Sequence, residues 1–181
     1  MFVDRTVIRA GAFKVDRDPL FERVSRLEFA DARGGEMRVE AVRLGGVKVG
    51  IVESSGHVIL LSAPGEATFL APFSGRLGID ATRRRLGAAS GGGVFMRPGD
   101  RETTVGRDGR GAYRALVALA PMRRARGGAP GFSMADVSAH PAMRSLGDLL
   151  GHLLTQAGRE GSVLARSRSR KAAEALITDG F

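Results

Sequence analysis

The 181-residue chain has no cysteine and no tryptophan, one tyrosine and three histidines. Without cysteine there can be no disulfide, thiolate nucleophile or zinc ribbon, so a secreted disulfide scaffold is excluded. Long apolar runs are missing as well: nothing approaches the ~20 consecutive apolar residues of a membrane span. Asp4, Arg5 and Arg9 interrupt the start, where a signal peptide needs an apolar stretch. The expectation is a cytoplasmic protein with no membrane partner. Lysine is scarce: 25 of the 28 basic residues are arginine, and the formal net charge is +9. A basic surface concentrates polyanions around itself. Here, however, the arginines are scattered, and the groups at Arg83 to Arg85, Arg123 to Arg126 and Arg166 to Arg170 read as turns or solvated faces. The nine phenylalanines and single tyrosine form no basic-aromatic stripe of the kind that stacks single-stranded nucleic acid.

Present instead are short apolar and β-branched runs separated by turn chemistry. Residues 1–36 form a weakly patterned N-terminal segment, in which Asp18 and Pro19 resemble a helix cap and first position for a short helix from Pro19 to Phe29. Strands are expected at Met37 to Leu44, Val47 to Glu53, His57 to Ala63, Ala67 to Phe73, Arg76 to Ala81, Val94 to Arg97, Glu102 to Val105 and Tyr113 to Ala120. Gly45-Gly46, Ser55-Gly56, Pro64-Gly65, Ser74-Gly75, Pro98-Gly99-Asp100 and Asp108-Gly109 punctuate them as turns. Strands recurring every ~8–12 residues indicate an all-β sandwich or barrel. The expected fold class is α+β: a cupin-like antiparallel β barrel of jelly-roll type over residues 37–121, followed by C-terminal helices. Residues 122–137, rich in glycine and arginine, read as a connector, and residues 138–181 as a helical region. There Pro141 opens a helix, with Ser138 as its expected cap. Met143, Leu146, Leu150, Leu153 and Ala157 follow in steps of three and four, and Leu149 and Leu154 widen the stripe. A second helix is expected from Arg166 to Asp179, with Ala172, Ala173, Leu176 and Ile177 on one side.

No catalytic pattern stands out. A metal-dependent cupin enzyme converges two histidines, a glutamate and a third histidine on the barrel, because a divalent ion needs three or four N/O ligands. Of His57, His140 and His152, only the first lies in the β region, so no metal and no cofactor are expected. No G-x-S-x-G nucleophile elbow occurs, and Ser74 and Ser90 read as turn residues. Gly91-Gly92-Gly93 lacks the Lys-Ser/Thr ending of a phosphate loop, and Gly45 to Gly50 lies between two strands. What remains is a β container able to hold one small ligand.

Three stretches carry a resemblance: Gly56-His57-Val58-Ile59-Leu60-Leu61, then Phe69-Leu70-Ala71-Pro72-Phe73-Ser74-Gly75-Arg76-Leu77, then Val94-Phe95-Met96-Arg97-Pro98-Gly99-Asp100. With Pro121 after a long strand, the Leu-rich helix and Arg170-Lys171-Ala172-Ala173-Glu174-Ala175-Leu176-Ile177, they resemble the N-terminal cupin-like ligand-binding and dimerisation domain of AraC/XylS-family transcription regulators, over about residues 35–180. The resemblance implies a non-enzymatic regulatory module that senses a small organic or protein effector. It also implies that DNA is reached only through a helix-turn-helix domain absent from this chain. A sensing pocket needs an apolar wall with a few polar anchors, for which Phe69, Phe73, Met96, Thr103 and Tyr113 are the candidates, with His57 near the mouth. A homodimer is expected through a seam of Met143, Leu146, Leu150 and Leu153, with Leu149 and Leu154 packing inward. The competing class is a stand-alone cupin-type enzyme or small-molecule carrier without a His-rich metal site.

Overall fold

Among the described residues twelve strands and two helices follow one another: β1 Asp4–Arg9, β2 Val24–Phe29, β3 Glu36–Leu44, β4 Val47–Ser54, β5 His57–Ala63, β6 Glu66–Ser74, β7 Arg76–Ala81, β8 Arg84–Ala89, β9 Val94–Met96, β10 Gly99–Gly106, β11 Tyr113–Pro121, β12 Met134–Asp136, α1 Pro141–Ala157 and α2 Ser167–Gly180. The computed structural model describes residues 3–11, 20, 21, 23–63, 65–81, 84–109, 111–122, 134–159, 161, 162, 164 and 166–180. The strands form a seven-stranded sheet in the order β1-β3-β4-β11-β6-β9-β12 and a five-stranded sheet in the order β2-β5-β10-β7-β8. Every registered strand pair is antiparallel. The expected antiparallel jelly-roll type therefore holds. Among the described residues the two sheets keep separate ladders, so it takes the form of a sandwich.

The central strands of the larger sheet are buried on both faces over much of their length. Toward the smaller sheet it turns Met37, Val39, Val52, Leu70, Val94, Met96, Ala115, Val117 and Leu119, which meet Leu77, Ile79 and Val105. On its outer face Val42, Leu44, Val47, Val49, Leu116 and Ala118 are covered by Leu146, Leu150, Leu153 and Ala157 of α1 and by Ala173 and Ile177 of α2. Side chains alternate along a strand, so a strand covered on both sides reads as a continuous apolar run, and Ala115 to Ala120 in β11 is buried throughout. Among the described residues no helix is long and apolar enough to cross a membrane.

Four of these strands are not among those the sequence leads one to expect. β1 and β8 are edge strands with only half-buried alternate positions, so neither carries much apolar signal. β12 has three residues. The helix expected from Pro19 to Phe29 is corrected by β2, which pairs with β5; Asp18 and Pro19 lie outside the described residues. The reason is a register shift between Val24 and Arg26. That bulge lets Val24 and Leu27, three residues apart, pack into one cluster with Ile59 and Leu61. A step of three in a strand thus imitates helical spacing. Ser138 does not cap α1. The helix starts after His140 without a side-chain cap, with Pro141 in its first turn. The Ser138 hydroxyl donates to Asp136 and accepts the Gly93 N–H at 2.9 Å.

The apolar stripe of α1 faces inward. Leu146, Leu150 and Leu153 pack on the chain's own sheet, with Leu150 at 0% exposure. Leu149 and Leu154 are the ones left half-buried. The seam assigned to Met143, Leu146, Leu150 and Leu153 is therefore not a free surface; the Met143 side chain lies outside the described residues. The outer face of the larger sheet is apolar and has to be covered, and α1 covers it. On α2, Ala173 and Ile177 are buried while Leu176 is exposed.

Candidate functional site

The interior of the sandwich is not wholly apolar. On β10 the inward positions are Arg101, Thr103 and Val105, alternating with the more exposed Glu102 and Thr104. Arg101 is only 2% exposed. Its Nη2 donates to Thr68 Oγ1 on β6, in the opposite sheet, at 3.1 Å, but Nε and Nη1 have no acceptor. Thr103 Oγ1, two residues along the same face, has no partner either. Arg101 lies beside Leu61 in the ladder and Thr103 between Ile59 and Ile79, while Thr68 is paired with Met96. Leaving a buried polar group unmet costs about 1–3 kcal/mol, and more for a charge. Three such atoms thus lie on adjacent inward positions of β10.

An ion pair lies at the same end of the sandwich. Lys48, buried on β4, meets Glu66 at 3.1 Å and donates to the Leu20 carbonyl at 3.5 Å. Burial pulls the Arg101 guanidinium down to about 10, with the Glu66 charge acting in the opposite sense. Arg101 remains a cation at neutral pH.

At the other end, six residues along β11 from Leu119 and therefore ~20 Å away, stands Tyr113. Its hydroxyl is buried without a partner, and burial raises its pKa above the ordinary value. Gly75 makes room for it: a Cβ there would lie 2.9 Å from Tyr113 Cα and 2.6 Å from the Gly106 carbonyl, at a backbone φ of +82°. His57 is on this side too. Its Nδ1 is 2.7 Å from Ser54 Oγ, which also accepts the Gly56 N–H at 3.1 Å. The ring meets Phe29 edge-on at 6.3 Å, and burial lowers the imidazole pKa to about 4.

The structure therefore divides the candidate lining residues. Met96 and Thr103 share the Arg101 end, and His57 and Tyr113 occupy the far end. Phe69 and Phe73 are not in the interior. Thr68 and Leu70 point inward, so alternation along β6 sends Phe69 and Phe73 outward. There Phe69 joins the helix-covered cluster and Phe73 is 47% exposed, with the Arg114 guanidinium 5.9 Å from its ring centroid. Phe73 separates two open clefts beside α1, of about 380 Å³ and 420 Å³. Arg101 is not among the expected lining residues because the strand signal in the sequence starts at Glu102, whereas β10 starts at Gly99. Extending the Thr103-Val105 alternation back by one step would have turned Arg101 inward. Among the described residues no three His, Asp or Glu side chains group as a metal site.

No family model matches the chain, and a search of curated proteins gives no match. Among solved structures it is similar to the AraC-like transcriptional activator CuxR, with a TM-score of 0.57 and 14% identity over 98% of this chain and 68% of that one. The cupin domain of Schizosaccharomyces pombe Cnp3 overlaps less, with a TM-score of 0.42 and 12% identity over 48% of this chain and 65% of that one. A putative glyoxylate-induced protein from Pseudomonas aeruginosa gives 0.46 and 20% over 73% of this chain and 49% of that one. With the AraC-like activator the chain shares its fold.

Proposed function

We propose that this chain is the sensing domain of an AraC-type transcription regulator, that a small effector binds inside the sandwich around Arg101 and Thr103, and that DNA is contacted by a helix-turn-helix domain outside these residues. The observation that carries the reading is the set of unpartnered buried donors at Arg101 and Thr103. A buried donor without a partner in the protein calls for one from outside it. The reading belongs to the cytoplasm and to a dimer. With Leu146, Leu150 and Leu153 turned inward, a second copy would have to meet the outer side of α1, where Leu149 and Leu154 keep part of their surface. The rival reading is an enzyme or carrier of cupin type.

Thr103→Val tests the location. It replaces an orphan hydroxyl by a methyl of the same shape, so the unliganded protein is expected to be as stable as wild type or slightly more so. Compounds that raise the melting temperature of wild type are expected to bind the variant about 10-fold more weakly, the worth of one hydrogen bond. Equal binding by the variant would move the site elsewhere, and conversion of a bound compound to product would favour the enzyme.

A further inference from the structure

We infer that the interior site recognises its ligand through an oxyanion, a carboxylate or a phosphate, held by Nε and Nη1 of Arg101 and by Oγ1 of Thr103. This rests on the reading of the interior as an effector site and specifies the chemistry of the effector.

A guanidinium has five N–H donors and no acceptor, so what Arg101 lacks can only be an acceptor. It is also a cation at 2% exposure. An uncharged acceptor would complete its hydrogen bonds without offsetting its charge, whereas an oxyanion does both. Thr103 Oγ1, on the next inward position of β10, adds an O–H donor from the same side. The carboxylate that acts electrostatically on Arg101, Glu66, is engaged by Lys48 at 3.1 Å, and it makes no hydrogen bond to Nε or Nη1. Around the two residues lie Leu61, Ile59, Ile79 and Met96. The matching ligand has a charged head and a small apolar remainder.

The test is calorimetric titration of the full chain with inorganic phosphate, propionate and hexanoate, and with propionamide and hexanamide as neutral counterparts, at constant ionic strength. Melting temperatures of the unliganded wild type, Arg101→Met and Thr103→Val accompany it. At least one of the anions is expected to bind, with any amide at least ten-fold weaker than its acid and the affinity reduced at least ten-fold in Arg101→Met. Binding of phosphate alone points to a phosphorylated ligand, and binding of the acids alone to a carboxylate. Unliganded Arg101→Met is expected to melt a few degrees higher than wild type, because a buried unpaired charge has been replaced by a side chain of similar volume.

An amide that binds as tightly as its acid, yet more weakly to Thr103→Val, would overturn the oxyanion while leaving the interior site standing. If no probe binds wild type and Arg101→Met melts lower than wild type, Arg101 is a structural brace to Thr68 and both readings fall. Should Arg101→Met not fold, Thr103→Val carries the same comparison: acid affinity unchanged in that variant overturns the inference.

Discussion

His57 makes the fold sensitive to acid. In the unfolded chain its imidazole takes a proton near 6.5, and in the native state only near 4, because the charged form is desolvated. Between those values the unfolded state binds more protons, so stability falls as pH drops through that window and levels off below it. The full loss is about 3 kcal/mol for a shift of this size. Urea titrations at pH 7 and pH 4.5 on wild type and His57→Gln measure it; the variant keeps a polar partner for Ser54, and its stability is expected to change less between the two pH values. A wild-type midpoint that does not move would show that His57 is solvated. Tyr113 gives a simpler case. Its hydroxyl is buried without a partner, so Tyr113→Phe is expected to leave stability unchanged or raise it by about 1 kcal/mol. A loss of more than that in urea unfolding would reveal a partner for the hydroxyl.

At the level of elements, α1 is a cover for the sheet. Leu150 sits at 0% exposure among Leu116, Val49 and Ile177, so Leu150→Ala is expected to cost about 2–5 kcal/mol, read as a lower urea midpoint. Leu150→Glu is expected to lack a cooperative transition. A folded, monomeric Leu150→Glu variant would restore the seam between copies. The second helix is pinned differently: Glu174 accepts the Gly46 N–H at 2.7 Å in the turn between β3 and β4. Gly45, at φ +65°, leaves the space that the carboxylate occupies, since a Cβ there would collide with Glu174.

The covered strands and both helices were legible in the sequence, because burial on two faces or a wide helical stripe writes an apolar pattern that few other structures produce. Edge strands were not legible: β1 and β8 owe their existence to the neighbour they pair with, and pairing leaves no mark on local composition. The candidate site was legible in part. Thr103 and Met96 follow from apolar alternation, but Phe69 does not, since hydrophobicity says that a residue is covered and not by which layer, and Phe73 is half exposed against every such rule. Which side of the larger sheet faces the helices is settled by α1 and α2, far along the chain. Arg101 was hidden for the opposite reason, since a charged residue inside a fold goes against every compositional rule of burial.

For the molecule as a whole, the order of the strands matters as much as their contacts. β11 is hydrogen-bonded to β4 on one side and β6 on the other, yet β6 ends at Ser74 and β11 starts only at Tyr113. The larger sheet is thus completed from the middle, late in the chain. While the protein is being made, β4 and β6 emerge from the ribosome with open edges, and such edges invite pairing with other chains. Ribosome-bound chains are expected to gain protease protection only after Pro121 has cleared the exit tunnel, and chains stopped at Gly106 are expected in the insoluble fraction. Protection with Gly106 just emerged would mean that β4 and β6 first close on each other and must part again to admit β11. Such a sheet is exposed to aggregation for as long as its central strand is still unwritten, and the rate of translation between Ser74 and Pro121 sets how long that lasts.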